Sequence, residues 1–102
     1  IMNQFNHLFI KNNYVVCCTN YDKETFPEQA GIIYLRNVEK QGVFLVEEYL
    51  LEEFLSIELC DYYVGYSMPH KGLSELKEAY RQAYTARKKA FTSACHTLVY
   101  SD

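Results

Sequence analysis

Histidine and cysteine are the residues of this chain that bind metal ions most readily, but their spacing does not form a metal site. His7, His70 and His96 lie far apart in the sequence, and Cys95 directly precedes His96, so these two side chains project in different directions. The chain has no Cys-x-x-Cys or His-x-x-x-His pair, the kind of spacing that places two ligands on one ion. We therefore expect no metal site.

The cysteines also show no redox pattern. Cys17, Cys18 and Cys60 lie within or beside apolar, strand-like segments, where a free cysteine behaves as a small hydrophobic residue. Because adjacent residues of a strand point to opposite faces, we do not expect Cys17 and Cys18 to bond to each other. We predict that these three thiols and Cys95 are reduced and mostly buried.

Hydrolytic chemistry lacks a motif as well. Five serines are candidates by residue type: Ser56, Ser67, Ser74, Ser93 and Ser101. None of them lies in the Gly-x-Ser-x-Gly turn that exposes a serine nucleophile. We predict no catalytic residue and no cofactor.

Length and composition predict one globular domain. The chain has 102 residues, of which 49% are apolar and 23% are charged, an ordinary composition for such a domain. The net charge of -3 and the absence of a long basic run argue against direct binding of nucleic acid, which needs clustered Lys and Arg. No apolar run approaches the roughly 20 residues that span a bilayer. We expect a cytoplasmic domain with no membrane association.

The hydrophobic pattern predicts five strands and two main helices. The predicted strands are Tyr14 to Thr19, Ile32 to Val38, Val43 to Glu48, Tyr62 to Ser67, and Thr97 to Tyr100. The predicted helices are Tyr49 to Leu59 and Leu73 to about Thr92, with a further short amphipathic helix in the first dozen residues. The second and third strands should form a hairpin. The segment from Asn20 to Gly31 should be a loop with one helical turn near Phe26. The fold class is therefore α/β (α+β), with helices packed on a mixed sheet of about five strands.

The long helix should contact the sheet closely. Its buried face is predicted to contain Leu73, Leu76, Tyr80, Ala83 and Ala90. Gly65 within a strand indicates a bulge or a close approach of backbone. The small side chains of Ala83 and Ala86 would allow the helix to lie near the sheet.

One stretch of the sequence resembles a known family. The segment YVGYSMPHKGLSELKEAYRQAYTARKKAF from Tyr63 is similar to part of the GGDEF-like domains of PucR/CdaR-type and AraC-type bacterial transcriptional regulators. The matching residues are Val64, Gly65, Ser67, Gly72, Leu73, Leu76, Tyr80, Ala83 and Ala86. The segment LFIKNNYVVCCTNYD also looks like the strand that opens these domains. The resemblance implies a GGDEF-like regulatory domain, spanning residues 1–102, of a larger regulator.

The same resemblance argues against cyclase activity. Active members of the fold hold Mg²⁺ and nucleotide with an acidic residue after the first strand and a Gly-Gly-Asp/Glu-Glu-Phe turn in the hairpin. Here the corresponding turn, Val38 to Phe44, has one glycine and no acidic pair before Phe44. Asp22 is the one carboxylate near the end of the first strand, and we interpret it mainly as a turn residue.

Tyrosines supply the remaining candidate contacts. The chain has ten tyrosines, and Tyr62, Tyr63 and Tyr66 are close together in one predicted strand. Tyrosine combines an apolar ring with a polar hydroxyl, which suits interfaces and small-molecule pockets, although strands favour aromatic residues in any case. We name Asp22, Tyr63 and Tyr66 as candidate ligand-binding residues.

Two functions remain open at this stage. The first is a non-catalytic, signal-transmitting domain of a transcriptional regulator that acts as a weak homodimer or through an unidentified small-molecule effector, with DNA bound by a separate domain. The second is a remnant of a diguanylate-cyclase-like domain that binds a nucleotide without turnover. Two glycines and acidic residues in the hairpin turn would have favoured nucleotide binding, and these are missing.

Overall fold

The computed structural model describes residues 13–36, 41–93 and 96–101. Its strands are β1 (Tyr14–Thr19), β2 (Ile32–Arg36), β3 (Gly42–Glu47), β4 (Val64–Tyr66) and β5 (Thr97–Val99). Helix α1 (Leu51–Glu53) is flanked by a 3-10 turn at Glu48–Leu50 and a π-helical segment at Phe54–Glu58. Helix α2 (Leu76–Thr92) is preceded by a 3-10 turn at Leu73–Glu75. The continuous helical segment around α1 is called the 48–58 helix below.

The five strands form one mixed sheet in the order β2-β3-β1-β4-β5. β4 and β5 are parallel and are joined through α2, as a parallel pair requires a crossover connection. The other neighbours are antiparallel, including the predicted β2–β3 hairpin. The α+β class with helices on a mixed five-stranded sheet is thus confirmed.

β1 lies at the centre of the sheet because its residues are apolar on both faces. Tyr14, Val16 and Cys18 point toward α2, on what we call the α2 face of the sheet. Val15 and Cys17 point to the opposite face, the aromatic face, where they join the cluster containing Phe44 and Phe54. All six residues of β1 are buried, as the uninterrupted apolar run predicted.

Several predicted element boundaries shift in the structure. β3 begins at Gly42 instead of Val43, and β4 covers three residues, Val64–Tyr66, where the sequence predicted six from Tyr62 to Ser67. The Asn20 to Gly31 segment is a loop without a helical turn at Phe26. The Phe26 ring instead packs edge-on against Phe44, so tertiary contacts determine its position.

Some predicted features lie outside the described residues. These are the helix in the first dozen residues, Cys95, and the hairpin turn from Val38 to Lys40. No helix within the described ranges is long and apolar enough to cross a membrane.

The close approach of α2 to the sheet is confirmed. Gly65 in β4 lies against the backbone of Ala86 and Arg87. Ala79, Ala83, Ala86 and Ala90 form the buried stripe of the helix, and side chains this small let the helix axis lie near the strands.

Two burial predictions are wrong. The helical spacing predicts that Tyr80 lies on the buried face of the long helix, but 36% of its surface is exposed. The alanine stripe already fills the contact with the sheet, so Tyr80 lies at the side of the helix. Cys60 is exposed because it follows the 48–58 helix in a turn, whereas Cys17 and Cys18 are buried as predicted.

Candidate interaction surface on the second helix

The three candidate ligand-binding residues do not converge on one site. Asp22 lies in the exposed part of the loop after β1. The Tyr63 ring contacts Phe91 of α2, whereas Tyr66 packs on the aromatic face of the sheet. Because side chains alternate along a strand, residues three apart point to opposite faces.

An apolar groove opens on the α2 face beside the helix. α2 packs mainly over β1, β4 and β5, so β2 and β3 are only partly covered on this side. The groove has a volume of about 530 Å³. Its lining is mainly apolar and comes from three strands, the 3-10 turn before α2 and the first turns of α2. The lining residues are Val16, Leu35, Val43, Leu45, Leu73, Leu76, Lys77 and Tyr80. Sequence reasoning missed this groove, because it depends on where α2 lies across the sheet.

A stripe of aromatic and basic side chains begins at the edge of the groove and continues along α2. The rings of Tyr80 and Tyr84 are stacked, with centroids 6.1 Å apart. The ammonium group of Lys88 lies 5.3 Å from the centroid of Tyr84, within the range of a cation–π contact. Lys77 and Lys88 are exposed, and neither has an ion-pair partner in the described part of the chain. This surface therefore combines an apolar groove with the positive charges of Lys77 and Lys88, neither of which forms an ion pair in the described part of the chain.

A hydrogen-bond network fixes the start of α2. The Gln82 side chain accepts a hydrogen bond from the Met68 N–H through Oε1 and donates one to Glu78 through Nε2, which sets the orientation of its amide. His70 places Nε2 3.0 Å from Gln82 Oε1 and Nδ1 2.9 Å from Glu75 Oε1. Both ring nitrogens thus face oxygen acceptors, so the two hydrogen bonds form together only when each nitrogen carries a proton. The network ties the loop before α2 to the helix itself.

Two carboxylates of this network have lowered pKa values. Hydrogen bonds from Arg81, and to a smaller extent from Gln82, lower the pKa of Glu78 to about 2. The side chain of His70 and the Lys71 N–H lower the pKa of Glu75. Arg81 also hydrogen-bonds Tyr100 after β5. Both carboxylates are therefore ionised at neutral pH, and they pair with His70 and Arg81 rather than with Lys77 or Lys88.

The opposite side of the molecule has the opposite charge. Residues 41–70 contain no lysine or arginine. Their exposed acidic residues are Glu48, Glu52, Glu53, Glu58 and Asp61. The same segment exposes two large apolar side chains, Tyr49 at 74% and Ile57 at 63%. The 48–58 helix thus presents an acidic surface with exposed apolar residues.

The described residues contain no metal-binding cluster, and the thiols of β1 are buried. No cluster of three His, Cys, Asp or Glu side chains that could hold a metal ion occurs within the described ranges. Burial raises the pKa of Cys18 to about 12 and raises that of Cys17 as well, so both thiols are held in the unreactive protonated form. No known protein family, curated protein or solved structure matches this chain.

Proposed function

We propose that this chain is a non-catalytic regulatory domain that acts by self-association through the groove and the adjoining stripe of α2. The observation that carries the proposal is the apolar groove of about 530 Å³. An apolar depression with an aromatic and basic border is typical of a surface that another protein covers. The resemblance of the sequence to GGDEF-like domains of bacterial transcriptional regulators supports the same role, with DNA binding in a separate domain.

Self-association gives a role to exposed Tyr80 and partly buried Tyr84. Tyr80 and Tyr84 offer large rings on a rigid helix, and such rings are enriched among the residues that contribute most to binding. The interface of an isolated domain is expected to be weak, with a dissociation constant that is micromolar or weaker, about -8 kcal/mol or less favourable. In a longer regulator, linkage to other domains would raise the effective concentration of the surface.

Sedimentation equilibrium over a wide range of protein concentration tests this function. We expect the 12.0 kDa chain to show concentration-dependent association. Tyr80→Asp should reduce it at least tenfold, while Thr85→Asn, an uncharged change at an exposed position of the same helix, should leave it unchanged. A wild-type chain that stays monomeric at about 1 mM, a concentration that populates complexes with affinities near -4 kcal/mol, would refute self-association.

A further inference from the structure

We propose that the groove of one copy receives the 48–58 helix of a second copy, so that the domain associates head to tail. This inference rests on the proposed function and names the element that occupies the groove. It follows from the distribution of charge and exposed apolar residues over the two sides of the molecule.

Charge complementarity is the first argument. The edge of the groove carries Lys77, and Lys88 lies farther along the same helix. The 48–58 helix carries Glu52, Glu53 and Glu58 on its exposed surface, without a lysine or arginine between residues 41 and 70. Bringing these surfaces together places ammonium groups near carboxylates, which favours both encounter and correct orientation.

Apolar complementarity is the second argument. Ile57 is 63% exposed and Tyr49 is 74% exposed, although the inner side of the same helix already packs on the sheet through buried Phe54. When a partner covers exposed apolar side chains of this size, removing them from water favours association. The groove offers Leu35, Leu45 and Leu76 as an apolar lining. Ile57 and Tyr49 are therefore the expected anchors.

A symmetric pairing of two α2 helices is less favourable. With the stacked Tyr80 and Tyr84 rings at a twofold axis, antiparallel helices would place Lys77 of one copy near Lys88 of the other. Like charges that approach in an interface oppose binding. A heterologous contact, in which two different surfaces meet, avoids this conflict because the basic groove side of one copy meets the acidic 48–58 helix of the other. The first copy then keeps its 48–58 helix free, and the second copy keeps its groove free.

A mixing experiment tests the head-to-tail arrangement. The first variant, Tyr80→Asp, blocks the groove, and the second, Tyr49→Asp combined with Ile57→Asp, blocks the 48–58 helix. Each variant alone should be monomeric, because its intact surface has no intact partner surface. The equimolar mixture should form a 1:1 complex and stop there, since its two remaining surfaces are both blocked. Circular dichroism confirms that each variant is folded.

A charge variant provides a second measurement. Glu52→Lys combined with Glu53→Lys changes only exposed positions and should weaken association of the otherwise wild-type chain about tenfold or more at low salt. The difference from wild type should shrink as salt is raised, because surface charges are screened over about 10 Å at 0.1 M salt.

The outcomes separate the two proposals. If the wild-type chain associates but the mixture of the two blocked variants stays monomeric, the head-to-tail arrangement is wrong and self-association stands. If the variant blocked at the 48–58 helix associates as well as wild type, the second copy's helix is not the occupant of the groove. A wild-type chain that remains monomeric at millimolar concentration overturns both proposals.

Discussion

Gly65 of β4 lies directly beneath Arg87 of α2, with no room for a side chain between them. A Cβ atom at Gly65 would overlap the backbone nitrogen of Arg87 and the carbonyl carbon of Ala86. These neighbours are helix backbone and cannot rotate away as a flexible side chain could. The contact therefore sets how closely this part of α2 approaches the sheet.

Gly65→Ala should destabilise the domain strongly. Overpacking of a rigid contact costs about 1–3 kcal/mol and occasionally more, and we expect a value at the upper end because helix backbone must move. Gly72→Ala separates strain from overlap: Gly72 lies in open space, but its φ of +79° and ψ of 161° are essentially restricted to glycine, so we expect a loss of about 1–3 kcal/mol from backbone strain alone. Urea unfolding gives both free energies. A loss of less than about 1 kcal/mol for Gly65→Ala would contradict the close approach.

Tyr80→Asp should leave the domain folded. Since the Tyr80 side chain is partly exposed at the groove edge, the new carboxylate can remain hydrated, and we expect a loss of about 1 kcal/mol or less in the free energy of unfolding. Val16→Asp, in the buried centre of the same sheet face, would bury an unpaired charge at a cost of several kcal/mol. Thermal unfolding of both variants compares them. Equal destabilisation would mean that Tyr80 belongs to the core after all.

Thiol reactivity should distinguish Cys60 from the β1 cysteines. In a Cys95→Ser background, a thiol reagent at pH 8 should modify Cys60 quickly, because it is exposed. Cys17 and Cys18 should react only after unfolding, since burial raises the pKa of both thiols and excludes the reagent. The modified thiols are counted by absorbance before and after addition of denaturant. Rapid native-state modification of more than one thiol would show that β1 is accessible.

Acid should weaken the start of α2. Glu75 and Glu78 have folded-state pKa values below the ordinary 4.5. Their ionised forms therefore stabilise the folded domain above that pH, and this stabilisation is lost as the pH falls toward about 2, the folded-state pKa of Glu78. Both groups are exposed, so screening keeps the effect small. Combining Glu75→Gln with Glu78→Gln should flatten the pH dependence of the free energy of unfolding between pH 5 and 2.5. A double variant with the slope of wild type would assign the acid sensitivity to other carboxylates.

GTP should not be converted to a cyclic dinucleotide. The chain has one glycine and no acidic pair in the hairpin segment before Phe44, and Asp22 alone is a poor two-metal site. Incubation with GTP and either Mg²⁺ or Mn²⁺, followed by chromatography, should show no product above a buffer control. Calorimetric titration with a nonhydrolysable GTP analogue tests the alternative of nucleotide binding without turnover, and saturable binding would favour that alternative.

The sequence by itself determined the elements and the class of the fold. The apolar run from Tyr14 to Thr19 predicted a central strand, because a strand buried on both faces has apolar residues at every position. The segment after Gly72, which has no glycine or proline, predicted the long helix, because its residues have high helix propensity. The close approach at Gly65 was also predictable, since a glycine within a strand leaves space for neighbouring backbone.

Only the tertiary structure decided which surfaces remain open. Tyr80 has the spacing of a core residue, but the alanine stripe of α2 takes the sheet contact and leaves Tyr80 at the side. The groove involves Leu35 and Leu45, which lie on different strands, and it exists because α2 covers β1, β4 and β5 and leaves β2 and β3 partly uncovered on this face. Local periodicity specifies which side of an element is apolar, whereas the lateral position of a helix on a sheet depends on the packing of all its neighbours at once.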